Sequence, residues 1–90
     1  MLFVRRLIWD IWNVAHMALH RVNPEEVEEI CHGAPLVQQS YKERLVLIGP
    51  TLSGRMLAAV LAPEGAGVYY PVTARSASRR ERALYKRERG

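Results

Sequence analysis

Apolar positions recur at helical spacing as far as Gly33, and after Pro35 the period shortens to that of strands. Arg5 to Trp9 is short and apolar and predicts a first strand or strand stub. Asp10 then predicts a cap for a helix over Ile11 to His20, in which Ile11, Val14, Ala15, Ala18 and Leu19 recur at helical spacing. Asn23-Pro24-Glu25-Glu26 is a second helix start: Asn23 caps, Pro24 suits the first helical position, and Glu26 can reach back to close a capping box. Gly33 predicts its stop and Pro35 prevents continuation.

Four strands are predicted beyond that point, over Leu36 to Tyr41, Arg44 to Ile48, Arg55 to Ala62 and Val68 to Thr73. The links Gly49 to Gly54 and Glu64 to Gly67 are of hairpin length, so the strands they join pair antiparallel. Pro71 cannot donate to a ladder, which places the last strand at an edge or bulges it there. Ser78-x-x-Glu81 opens a final helix to about Arg89, with Ser76 as the alternative cap two residues earlier. The order β-α-α-β-β-β-β-α predicts an α+β fold. It has an antiparallel sheet of four to five strands, two N-terminal helices and one C-terminal helix, with the helices gathered on one side. There is no internal repeat and no linker, so residues 1–90 read as a single domain.

The composition, 49% hydrophobic and 24% charged, is that of an ordinary globular chain. No apolar run approaches the ~20 residues that span a bilayer, so no membrane contact is expected. Arg5 and Arg6 follow the first apolar residues, the wrong order for a secretory signal. A single cysteine, Cys31, suits a reducing compartment, and a cytoplasmic protein is expected. Charge changes this picture most. Residues 1–74 hold six basic and seven acidic side chains; residues 75–90 hold seven basic and two acidic. The positive excess therefore lies wholly at the C-terminal end and implies either a polyanionic or acidic partner or simply a solvated, frayed C-terminal helix.

Three constellations could carry chemistry. Gly49-Pro50-Thr51-Leu52-Ser53-Gly54-Arg55 superficially resembles a phosphate loop, but it lacks the Lys and the following Ser or Thr, and a strand follows where a helix is needed. It reads as a hairpin turn. His16, His20 and Cys31 invite a metal reading, yet Met17 stands where a zinc-protease helix needs Glu, and such histidines more often pack or cap. No metal and no cofactor is expected. Cys31 beside Ile30 reads as inert filler. The third set is Arg75, Arg79, Arg80, Glu81, Arg82 and Tyr85, with Arg44 and Arg55 on preceding strands. Arginine supplies charge for a phosphodiester, Glu or His a proton carrier, and Tyr a stacking face, which suits RNA cleavage. The blander reading makes Glu81 a capping acid and Tyr85 a packing residue.

Three runs of residues resemble one family. Trp9-Asp10-x-x-Asn13, followed by His20-x-Val22-x-x-Glu25-Glu26, is similar to the opening of the BrnT toxins. Arg44, Gly49, Thr51, Gly54-Arg55 and Leu57 resemble that family's hairpin, and Val72-Thr73-Ala74-Arg75-x-Ala77-x-x-x-Glu81-Arg82-x-x-Tyr85 its ending. Together they cover about residues 7–86 in order. The resemblance implies a RelE-like ribonuclease fold and a metal-independent RNase toxin that cuts mRNA and halts translation. It also implies a cognate BrnA-like ribbon-helix-helix antitoxin, a hetero-oligomer with it, and contact with operator DNA only through that antitoxin. Carried over by motif position, the site residues are His20, Arg55, Arg75, Glu81, Arg82 and Tyr85. Arg55 and Arg75 would bind phosphate, Glu81 or His20 would carry a proton, and Tyr85 would position a base or pack. The chain departs from the pattern where Trp12 and Leu19 replace common basic residues, Arg21 replaces the usual Gly, and Ser76 stands where Lys is frequent. The alternative is a non-catalytic module whose basic C-terminal helix binds an antitoxin or nucleic acid.

Overall fold

The computed structural model describes residues 2–89. The expected order of elements is present: β1 (Arg6–Leu7), α1 (Ile11–Ala18), α2 (Pro24–His32), β2 (Leu36–Gln39), β3 (Leu45–Pro50), β4 (Met56–Gly65), β5 (Val68–Ser76) and α3 (Arg79–Arg89), with a 3-10 turn at Tyr41–Glu43. The strands form one sheet in the order β1-β5-β4-β3-β2. The four later strands pair antiparallel, as hairpins must. β1 instead lies parallel to β5, so the sheet is mixed, and β5 is an interior strand.

Each helix begins where its cap dictates. The Asp10 side chain accepts from the amides of Trp12 and Asn13, and Asn13 reciprocates by accepting from the Asp10 amide. Asn23 and Glu26 form the same reciprocal box at α2, and Ser78 and Glu81 at α3. Asn13, 2% exposed, does more than cap: its side-chain amide donates to the carbonyls of Ile8 and Pro71. The helix start is thereby tied to the sheet. α1 ends sooner than predicted. Val22 donates to the Met17 carbonyl and Arg21 to that of Ala18, the two bonds of a Schellman closure. That closure needs a left-handed residue, and Arg21 supplies it at φ 58°.

The helices lie on both faces of the sheet, not on one as expected. α1 and α2 cover one face through Met17, Val27 and Ile30, which pack on Leu47, Leu57, Ala59 and Leu61. α3 covers the other, where Tyr85 packs against a smaller cluster of Ile48, Ala58 and Ala77. The sign of Pro71 is resolved as a bulge: Leu61 pairs with Pro71 but Val60 pairs with Thr73, so Val72 is an extra residue in β5. Strand alternation is shifted by one beyond it. Ala74 and Ser76 share a face with Leu57 and Ala59, while Arg75 is turned to the α3 face with Ala58.

The segment Gly49 to Arg55 is a hairpin turn. Thr51 is buried, its amide bonds the Arg55 carbonyl, and its hydroxyl accepts from the Arg55 amide, while Gly54 takes the φ of 92° that the reversal requires. No helix among the described residues is long and apolar enough to cross a membrane.

Candidate functional site

The expected site residues gather at one end of the sheet, where β4 begins and β5 gives way to α3, but in two groups on opposite faces. On the α3 face, Arg75 meets Glu81 side by side, with Nη1 2.7 Å from Oε1 and Nη2 2.9 Å from Oε2. Both partners are placed by local rules: the bulge aims Arg75, and the capping box aims Glu81, whose Oε1 also accepts from the Ser78 amide at 2.8 Å. Hydrogen bonding by Arg75, reinforced by Ser78, outweighs partial burial and holds the Glu81 carboxyl down to about 2. At neutral pH this carboxylate therefore carries no proton. The Arg75 side chain is 48% exposed and Glu81 19%, so a phosphate has access to the guanidinium.

On the α1/α2 face, Arg55 is bound on several sides. Its Nη1 donates to the Arg21 carbonyl at 2.6 Å and lies 3.3 Å from both Glu26 oxygens. Its Nη2 donates to the His20 carbonyl at 3.3 Å and to Ser76 Oγ at 3.2 Å. Arg55 thus clamps the turn that joins α1 to α2. The positive charge sits where α1 leaves its last carbonyls, and the dipole favours it. Glu26 serves twice, as the capping partner of Asn23 and as the counter-ion of Arg55. Its spacing in the sequence announces the first role; the second depends on a contact to a residue far along the chain.

The remaining candidates are placed as follows. His20 is exposed, with its ring edge-on to His16 at 5.7 Å. Arg82 donates to the Ala77 carbonyl at 2.7 Å. Tyr85 packs on the sheet and its hydroxyl donates to the Ala34 carbonyl at 3.4 Å. Arg44 stands at the far end of the sheet, over the Tyr41 ring at 5.6 Å. The guanidinium groups therefore do not converge as free cations: Arg55 and Arg75 are each paired with a carboxylate, and Ser76 is what joins the two groups. Its hydroxyl accepts from Arg55 and its carbonyl from Arg75 at 3.2 Å. In the sequence Ser76 stands out as a place where a common Lys is absent and as an alternative cap for the final helix, not as a link between the two arginines.

Other features lie apart from this end. Among the described residues no group of three or more His, Cys, Asp or Glu side chains could hold a metal ion. Burial, and secondarily the charge of Glu28, pushes the Cys31 thiol up to about 12. A concavity of about 860 Å³ is lined by Cys31, Leu36, Leu45, Tyr69 and Arg89 and does not touch the Arg75–Glu81 pair. It is open, and its lining mixes apolar side chains with Gln39 and Arg89.

No protein-family model and no curated protein matches the chain. Among solved structures it is similar to that of the Brucella abortus ribonuclease toxin BrnT, with a TM-score of 0.67 and 23% identity over 82% of this chain and 97% of that one. The two share a fold.

Proposed function

We propose that this chain is the ribonuclease toxin of a toxin–antitoxin pair, cutting mRNA and halting translation in the cytoplasm without a metal or cofactor. The observation that carries this reading is the fold shared with a ribonuclease toxin over 82% of the chain. Its partner would be a ribbon-helix-helix antitoxin of the BrnA type, held with it in a hetero-oligomer that reaches operator DNA only through the antitoxin.

The proposed chemistry starts from the Arg75–Glu81 pair. A phosphodiester offers Arg75 the same two-oxygen partner that Glu81 offers, and takes its place. Glu81, relieved of the guanidinium, returns toward the ordinary carboxylate range while the Ser78 amide still holds it. The base thus appears when RNA arrives. Glu81 removes the proton of the 2′-hydroxyl; that oxygen attacks phosphorus, the bond from phosphorus to the 5′-oxygen breaks, and the 5′-oxygen takes a proton from solvent, while His20 lies on the other face of the sheet. Arg75 balances the charge that builds on the phosphate, with Arg82 beside it on α3. In this reading Arg55 supports the site through Ser76, and Tyr85 packs.

Expression of the chain alone stops growth, and Arg75→Ala relieves the arrest while lowering stability by no more than about 1 kcal/mol. Purified wild-type chain that leaves RNA intact at micromolar concentration and is harmless in cells overturns the reading. The carboxylates already on Arg55 and Arg75 favour a second reading, a non-catalytic module whose basic α3 binds an acidic partner or nucleic acid. That reading predicts salt-sensitive binding that survives Glu81→Ala and His20→Ala.

A further inference from the structure

Helix α1 turns its apolar side outward. Ile11, Trp12 and Leu19 are 76%, 75% and 77% exposed, and Ala15 and Ala18 between them are exposed too. The inward side is held by Asn13 and Met17. A helix on the surface of a lone domain normally presents charge to water. This one carries no charged residue from Ile11 to Ala18, and His16 is its only titratable group.

Positions 11, 15 and 19 form one ridge, four residues apart, with the small Ala15 at its middle. Three pairs of positions equally far from 15 have suitable opposites. Ile11 matches Leu19, both large and aliphatic. Trp12 matches Ala18, a bulky ring against a small residue. Asp10 at the acidic start matches His20, with Arg21 next to it, at the basic end. A single helix so arranged is complementary to itself when reversed.

We propose that the outer face of α1 binds a second copy of this chain, with the two helices crossing antiparallel about a twofold axis at Ala15. Ile11 then packs against the partner's Leu19, Trp12 lies over the partner's Ala18, and Ala15 meets its own equivalent at the closest approach. Asp10 faces the partner's His20 and Arg21, and the two helix dipoles oppose each other favourably. The three large side chains present on the order of 400 Å² of apolar surface. That is about half of the ~800 Å² per partner in a standard stable interface, so the dimer is a weak one that forms and dissociates with concentration.

Sedimentation of the full chain from about 1 to 200 µM tests this. The expected result is a mass that rises from monomer toward dimer across the range. Trp12→Glu and Ala15→Glu, both at exposed positions that the core does not need, weaken association at least about tenfold while the circular dichroism stays that of the wild type. In a Cys31→Ala background, Ala15→Cys forms a disulfide dimer under mild oxidation and Arg79→Cys does not, which locates the axis even if the glutamate variants fold poorly. A wild-type monomer throughout the range overturns the proposal. So does a dimer indifferent to both glutamate variants, or an α1 face that is protected only when a different protein is added.

Discussion

Arg55 distinguishes a clamp from a free phosphate ligand, and its removal separates them. In Arg55→Ala the carbonyls of His20 and Arg21, the Glu26 carboxylate and Ser76 Oγ all lose their donor. Hydrogen bonds to charged groups are each worth about 1.5–3 kcal/mol when water cannot replace them. Here the Arg55 side chain is 32% exposed and Glu26 19%, so water recovers a large part. The expected net loss is about 2 kcal/mol. For a domain of this size that lowers the melting temperature by roughly 8–16 °C. Urea unfolding followed by far-ultraviolet circular dichroism gives the number as a shift in midpoint at constant slope. Arg75→Ala is the control: it removes one half-exposed pair and costs about 1 kcal/mol or less. Arg55→Lys recovers only part of the loss, because a single ammonium cannot span four acceptors. If Arg55→Ala unfolds within about 0.5 kcal/mol of the wild type while RNA binding falls, the clamp argument is wrong and Arg55 is a ligand for phosphate.

Four further outcomes are expected. Asn13→Ala lowers the urea midpoint by the equivalent of about 2–3 kcal/mol, since it strands the Pro71 carbonyl in the interior, and Asn13→Asp does more damage because a carboxylate cannot donate to two carbonyls. Arg21→Gly stabilises by about 1 kcal/mol through relief of the left-handed backbone, read as a rise in melting temperature. The Glu81 carboxyl is lowered on folding, so its contribution is complete above the ordinary value of 4.5 and is lost as pH falls toward about 2. A pH series of unfolding free energies shows a decline of about 1 kcal/mol in that window, and Arg75→Ala flattens it. Cys31 resists thiol reagents at about pH 8 in the folded chain and reacts at once in denaturant, because its thiolate is scarce while buried.

The caps carried most of the legible information. Asp10, Asn23 with Pro24, and Ser78 with Glu81 each mark the start of a real helix, because these signals act over four residues and need no tertiary context. The hairpins were legible for the same reason. The parallel pairing of β1 with β5 was not, since it joins Arg6 to Val68 and no local rule addresses it. The predicted strand to Tyr41 stops at Gln39 because the chain reverses through Lys42 and Glu43, both at positive φ, which no Gly or Asn announces. At the site, the sequence supplied the pairing partner of Ser78 but not the grip of Arg75 on Glu81, nor the distance between Arg55 and Arg75 through the sheet. The run Trp9-Asp10-x-x-Asn13 carries structure, not chemistry. Trp9 donates to Glu28 at 3.0 Å, Asp10 caps α1 and also accepts from the Tyr70 hydroxyl, and Asn13 bridges to Pro71.

One unpaired residue, Val72, sets the phase of everything after it. Delete it and the downstream half of β5 rotates by half a turn: Arg75 would point among the first two helices, Ser76 would take its station under the third, and the arginine–glutamate contact would have no geometry in which to form. The composition and nearly all of the order of the chain would be unchanged. A single-codon deletion is thus a sharper probe of this end of the molecule than any exchange of side chains, for it moves the same groups to the wrong addresses.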